Sequence, residues 1–223
     1  MKQLVLDIRR DAAPSFDNFV AGNNEELIAA LRATILGESH LYLWGALGGG
    51  RSHLLQASVA EAQAAGRPVV YLPGGEVCDS LPDTLDALLA IDDVDRLAED
   101  AQVALFNAFN RARANRQTLL LAGPCAPLAL ALREDLRTRI GQCLIYEVQP
   151  LDDASRAAIL AGQAERRGLR LGDDVLDYLL RHGRRDLPSL LATLDALDDA
   201  SLERKRAITL PLLRELMQGG LDI

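Results

Sequence analysis

The sequence predicts an α/β fold: a five-stranded parallel sheet with flanking helices, followed by a C-terminal all-helical unit. Three observations carry this. Five short runs are continuously apolar rather than alternating, the pattern of strands buried on both faces of a parallel sheet. Helical patterns separate these runs, and strands alternating with helices make a doubly wound layer. After Pro150 the strand signals stop while helical periodicity continues.

The strand candidates are LYLWG (41–45), PVVYLP (68–73), ALLAIDDV (87–94), TLLLAG (118–123) and CLIYEV (143–148). Helical patterns cover 24–36, 51–65 and 99–115, with a shorter piece near 127–140. LDDASRAAILAGQAERRG then opens on a capping segment and closes on Gly168, a helix stop. Leu190, Leu191, Leu194 and Leu197 keep helix-face spacing in the last third. The division expected is a short N-terminal peptide (1–11), an α/β base (12–150) and a helical lid (151–223). No internal repeat or long low-complexity linker interrupts it.

Composition narrows the function classes. The chain has 223 residues, 49% of them hydrophobic and 25% charged, an ordinary globular balance. Its formal charge is 24 − 32 = −8, whereas a stand-alone DNA binder neutralises phosphates with a basic face. Cys78, Cys125 and Cys143 form no CxxC pair and no even disulfide set. His40, His53 and His182 are too scattered to suggest a metal site. No apolar run has the length of a membrane span, and MKQLVLDIRR has no signal-peptide core. A cytoplasmic location is the simplest expectation.

The most informative stretch is WGALGGGRSHLL at 44–55. Its glycines, Gly45, Gly48, Gly49 and Gly50, lie between a strand end and a helix start, where backbone N–H groups and the helix dipole can wrap a phosphate. The common phosphate loop reads G-x-x-x-x-G-K-[S/T]; here Arg51 stands at the lysine position. The charge is kept, but a planar fork replaces a compact ammonium. Ser52 occupies the place of a magnesium-ligating hydroxyl. A glycine-rich turn without ligand is the alternative for the loop taken alone. A second motif adds to it. LLAIDDVDRL ends an apolar strand in Asp92 and Asp93, which can set a carboxylate beside Mg²⁺ at the carboxyl end of a sheet. Asp92 is the candidate metal partner and Asp93 the candidate water-orienting base; a capping or turn pair is the alternative. One whole strand, PVVYLP, lies between the two motifs in the chain.

With these residues in place, the chain resembles the initiator clade of the AAA+ P-loop ATPases, and within it the Hda family of DnaA-homologous regulators. SFDNFVAGNNEEL is similar to the segment that contacts adenine in DnaA-type proteins, which would put Phe19 and Val20 near the base, and His53 is a further candidate cofactor-binding residue. LYLWG and GRSHLL match even in the arginine, so Arg51 is a trait shared with that family. DLRTRIG resembles an arginine-finger motif and places the finger at Arg139. GRRDLPSLLATLDALDDAS resembles the second-sensor helix of a lid. The resemblance implies ADP or a similar nucleotide as ligand, with or without Mg²⁺. It implies DnaA as a partner whose bound ATP is hydrolysed, inhibiting re-initiation of replication.

Two departures stand out. The second-sensor arginine of the family falls on Pro188, leaving Arg184 or Arg185 as substitutes. The first-sensor strand end reads LLAGPCAP, and Gly123, Pro124 and Cys125 offer no polar side chain to a γ-phosphate. Efficient hydrolysis by this chain alone is therefore not expected. DnaA continues past its lid into a helix-turn-helix domain that this sequence does not contain, so independent DNA binding is not expected either. Self-association is left open.

QLVLDI (3–8) is similar to peptides that bind the bacterial sliding clamp. Gln3 would supply a hydrogen bond and Leu4, Leu6 and Ile8 the apolar anchors in a preformed groove. Alternation at 4, 6 and 8 also suits an edge strand. Two other readings stay open: an active ATPase of helicase-loader type, and a nucleotide-free adaptor.

Overall fold

In the computed structural model, residues 13–37, 39–183 and 187–218 are described. The base runs α1 (Glu25–Leu36), β1 (Leu41–Trp44), α2 (Arg51–Ala64), β2 (Val69–Pro73), β3 (Leu88–Asp92), α3 (Glu99–Ala112), β4 (Thr118–Gly123), α4 (Glu134–Ile140) and β5 (Leu144–Glu147). The strands form one sheet in the order β2-β3-β4-β1-β5, and every pairing is parallel. All strand carboxyl ends therefore lie on one rim. There β1 passes into the glycine loop and β3 into the acidic pair. β2 separates these motifs in the chain, but β4 separates them in the sheet.

The pleat explains why unbroken apolar runs are needed. Tyr42, Leu89, Ile91, Leu119 and Leu121 point to one face, where they meet Leu105 and Ala108 of α3 and Leu136 and Ile140 of α4. Their neighbours Leu41, Leu43, Leu88, Ala90, Leu120 and Ala122 point to the other, against Leu27 and Leu31 of α1 and Leu54 and Leu55 of α2. Both faces are covered, so both phases of the strand must be apolar.

Burial on both faces holds for β1, β3 and β4 but not for the outer strands. β2 is half-buried throughout, and in β5 Leu144 and Ile145 are 47% and 41% exposed. Each is paired on one side within this sheet, so its apolar residues have fewer neighbours. The helix expected near 127–140 is also divided. Pro127–Ala129 forms a 3-10 turn, and extended backbone at Leu130 and Arg133 delays α4 to Glu134.

The lid comprises α5 (Asp153–Arg166), α6 (Asp173–His182), α7 (Leu187–Arg204) and α8 (Leu210–Gln218). Asp152 caps α5 by accepting the Ser155 N–H at 2.7 Å, and Gly168 closes it at φ +70°. Leu160, Val175, Leu179, Leu190, Leu197 and Leu213 pack into an apolar cluster of the lid's own. Before the lid, Asn24 holds the exit of β5. Its amide donates to the Gln149 carbonyl at 3.0 Å and accepts the Gln149 N–H at 2.7 Å.

Candidate nucleotide site

The loop between β1 and α2 has the backbone a phosphate cradle needs. Gly48 and Gly50 sit at φ +75° and +96°, in the left-handed region that favours glycine. At Gly50 the requirement is double, because a Cβ there would lie 2.7 Å from Cε2 of Phe19. Gly45 is pressed against β5: an added Cβ would stand 3.0 Å from the Val148 carbonyl oxygen. Gly49 spends its N–H on the Ala46 carbonyl at 3.1 Å, tightening the loop. Gly50 is the N-cap of α2 and supplies no capping side chain. The first-turn amides of that fourteen-residue helix therefore lack an internal acceptor. They form a ready anion site.

Arg51, the first residue of α2, turns inward. Its side chain is only 7% exposed, and Nη2 lies 3.4 Å from Oδ1 of Asp93. Its Nη1 is buried without a hydrogen-bond partner. A buried, unpartnered guanidinium N–H is costly until an acceptor reaches it. A phosphate oxygen at the loop is such an acceptor, so the residues present fit a nucleotide phosphate.

The acidic pair is engaged with the protein itself. Asp92 is 4% exposed. Its Oδ1 accepts the Asp93 N–H at 2.9 Å, and its Oδ2 accepts the Tyr71 hydroxyl at 3.0 Å. Tyr71 also accepts from Gln56 Nε2 at 3.2 Å, and burial raises its pKa above the ordinary 10.0. Asp93 sits at φ +46° with Arg51 on one oxygen and Arg96 3.8 Å from the other. Ser52 is exposed and is not among the partners of Asp92. Among the described residues no cluster of three or more His, Cys, Asp or Glu could hold a metal ion. A P-loop Mg²⁺ takes one hydroxyl, one carboxylate, phosphate oxygens and waters, so Ser52 and Asp92 remain the residues that would hold it. Tyr71 and Gln56 escaped sequence reasoning: Tyr71 reads as ordinary apolar filling of a strand, with nothing to mark its hydroxyl contact.

Phe19 and His53 lie beside the loop. The Phe19 and His53 rings are 5.4 Å apart, and His53 Nε2 lies 3.0 Å from the Ser15 carbonyl oxygen. Val20 is 37% exposed. Ser15 caps the turn Phe16–Asn18 in a reciprocal box with Asn18, which fixes the approach of Phe19.

The glycine at the end of β4, where the resemblance leads us to expect a first sensor, has a steric explanation. Trp44 pairs with Gly123 in register, so Tyr42, two residues earlier, shares the face toward which a side chain at 123 would point. A Cβ on Gly123 would collide with the Tyr42 hydroxyl. That hydroxyl donates to the Cys125 carbonyl at 2.6 Å, and burial pushes its pKa upward. Tyr42 reads as strand core in the sequence; its second task emerges only from the register.

Arg139 lies in the last turn of α4. Its Nη2 donates to Asn110 Oδ1 at 2.8 Å, and its guanidinium carbon is 5.7 Å from the Phe106 ring centroid. α4 ends where β5 begins, at the sheet rim opposite the glycine loop, because β1 and β5 run parallel from Leu41 and Leu144. Arg139 and the chain's own loop thus belong to opposite rims. Pro188 falls in the first turn of α7. Arg184, Arg185 and the clamp-peptide candidates Gln3, Leu4, Leu6 and Ile8 lie outside the described residues.

Comparison with known proteins agrees with this anatomy. Residues 153–217 match the family described as "Hda, lid domain". Domain III of the Thermotoga maritima replication initiation protein DnaA superposes with a TM-score of 0.81 at 20% identity, covering 96% of this chain and 99% of that one. A replication initiator DnaA bound to AMPPCP and single-stranded DNA gives 0.74 at 23% identity, over 87% and 68% of the two chains. The Thermotoga maritima RuvB Holliday junction branch migration motor gives 0.75 at 20% identity, over 94% and 74%. At such identities these structures speak for the fold, while the family match speaks for the lid. Residues 153–217 are therefore a lid of the Hda family, carried on a base with the fold seen in DnaA and RuvB.

Proposed function

We propose that this protein regulates replication initiation by docking on the DNA polymerase sliding clamp and promoting hydrolysis of ATP bound to DnaA, which inhibits re-initiation. In this reading a nucleoside diphosphate such as ADP is a regulatory ligand at the glycine loop. The observation that carries it is the separation of Arg139 from that loop. A guanidinium at the opposite rim of the sheet serves a neighbouring molecule's phosphate better than its own. An arginine finger supplied in trans is worth roughly 10³–10⁵ in rate in related phosphoryl transfers. The chain's own hydrolytic parts point the same way: Asp93 is tied to Arg51, and Tyr42 fills the space beside Gly123.

Stimulation of ATP hydrolysis by ATP-loaded DnaA, with clamp loaded on DNA, tests the proposal. The wild-type chain is expected to accelerate it, and Arg139→Ala to remove most of the acceleration. Equal stimulation by wild type and Arg139→Ala would place the function, or the finger, elsewhere. The helicase-loader reading instead requires turnover by the isolated chain that depends on Asp93. The nucleotide-free adaptor draws support from the internal Arg51–Asp93 pair, and an absence of ADP binding would favour it.

A further inference from the structure

The carboxylates at this site are engaged with the protein itself, and a guanidinium stands beside them. In P-loop proteins the magnesium ion lies between the hydroxyl after the loop lysine and the carboxylate of the acidic strand. It binds oxygen ligands in a demanding octahedral arrangement. Here Asp92 is 4% exposed and both of its oxygens accept internal donors, the Asp93 amide and the Tyr71 hydroxyl. Gln56 holds Tyr71 in place. Asp93 is balanced by Arg51 and Arg96. A divalent cation at this rim would share Asp92 with Tyr71 and stand close to a buried positive charge.

Arg51 is built differently from the lysine it replaces. A guanidinium keeps its charge at every relevant pH and presents several donors in one plane, so it can hold two anions at once. Its Nη2 is on Asp93, and its Nη1 is buried with nothing to bind. The fork is thus anchored on the acidic pair by one nitrogen and keeps the other uncommitted at the first residue of the helix that follows the loop. It keeps in reserve a positive charge and an N–H of the kind that a diphosphate oxygen requires. We propose that this site binds a nucleoside diphosphate without a metal ion, the Arg51 guanidinium supplying the charge that magnesium supplies in other P-loop proteins. This rests on the reading of the glycine loop as a nucleotide site.

Calorimetric titration of the full chain with ADP, once in excess magnesium chloride and once in excess EDTA, tests the inference. For wild type the two dissociation constants should agree within about threefold. Arg51→Lys, which retracts the fork to a point charge, should make binding depend on magnesium, with a loss of about tenfold or more in EDTA. Tyr71→Phe, which frees one oxygen of Asp92, should shift the balance the same way and carries the test if Arg51→Lys fails to fold. A wild-type affinity that drops about tenfold in EDTA would overturn the metal-free reading and leave the nucleotide site standing. Variants that stay as indifferent to EDTA as wild type would overturn the role given to Arg51. No ADP binding in either buffer would remove both the inference and the nucleotide site beneath it.

Discussion

At His40, where the chain enters β1, ring chemistry and stability are linked. Its Nδ1 accepts the Leu119 N–H at 3.1 Å, and the ring meets Phe109 edge-on at 5.5 Å. Burial holds its pKa below the ordinary 6.5. The folded chain therefore binds fewer protons at this residue than the unfolded chain does. Its contribution to stability is fully present above the unfolded pKa, declines as pH falls through it, and levels once the folded imidazole titrates. Urea unfolding of wild type should show stability falling as pH drops from neutral, by at most about 1.4 kcal/mol per pH unit from this one proton. His40→Gln should show a shallower slope; identical slopes would contradict the assignment. Single residues were unevenly legible. Arg51 announced itself by standing in a glycine loop. Tyr71 and His40 did not, because their roles depend on which backbone or carboxylate the fold brings to them.

Elements were more legible than residues, for a physical reason. A strand covered on both faces must be apolar in both phases of its pleat, so LYLW, LLAID and TLLLAG betray themselves. LIYE looks much the same, yet Leu144 and Ile145 lie exposed, because edge position is decided by neighbours rather than by the strand's own residues. Register had the same hidden quality. Only the pairing of Trp44 with Gly123 reveals that Tyr42 occupies the first-sensor space. Restoring a polar sensor there is thus a packing problem before it is a catalytic one. Gly123→Ser should destabilise the fold by about 1–3 kcal/mol through overpacking. Tyr42→Phe in the same chain removes the obstructing oxygen and should recover part of that loss. A double-mutant cycle with no coupling between the two positions would show that the collision is absorbed elsewhere.

For the molecule as a whole, the division of labour follows from parallel strands. The glycine loop and the acidic pair lie at the carboxyl rim, and Arg139 is carried by α4 to the opposite one. The α/β base and the helical character of the lid could be read from the alternation of patterns and its end at Pro150. The 20–23% identities to DnaA structures accompany the same architecture. The N-terminal QLVLDI is expected to act as a separate clamp ligand. Gln3→Ala with Leu6→Ala should abolish binding to purified clamp while leaving the melting temperature almost unchanged. A large fall in melting temperature would mark the segment as a strand of the core, since burial loss and not lost docking would then be measured.

On the proposed function, the chain completes another protein's catalytic site rather than running its own. Two substitutions separate these roles. Asp93→Asn removes the carboxylate that a self-contained ATPase would use, and asparagine tolerates the left-handed backbone found there. Arg139→Lys keeps a positive charge but loses the planar fork. The decisive measurement is single-turnover hydrolysis of DnaA-bound ATP, with clamp on DNA and saturating ADP, for both variants side by side. Stimulation should stay near wild type with Asp93→Asn and be mostly lost with Arg139→Lys. Full stimulation by Arg139→Lys together with its loss in Asp93→Asn would contradict the proposed function.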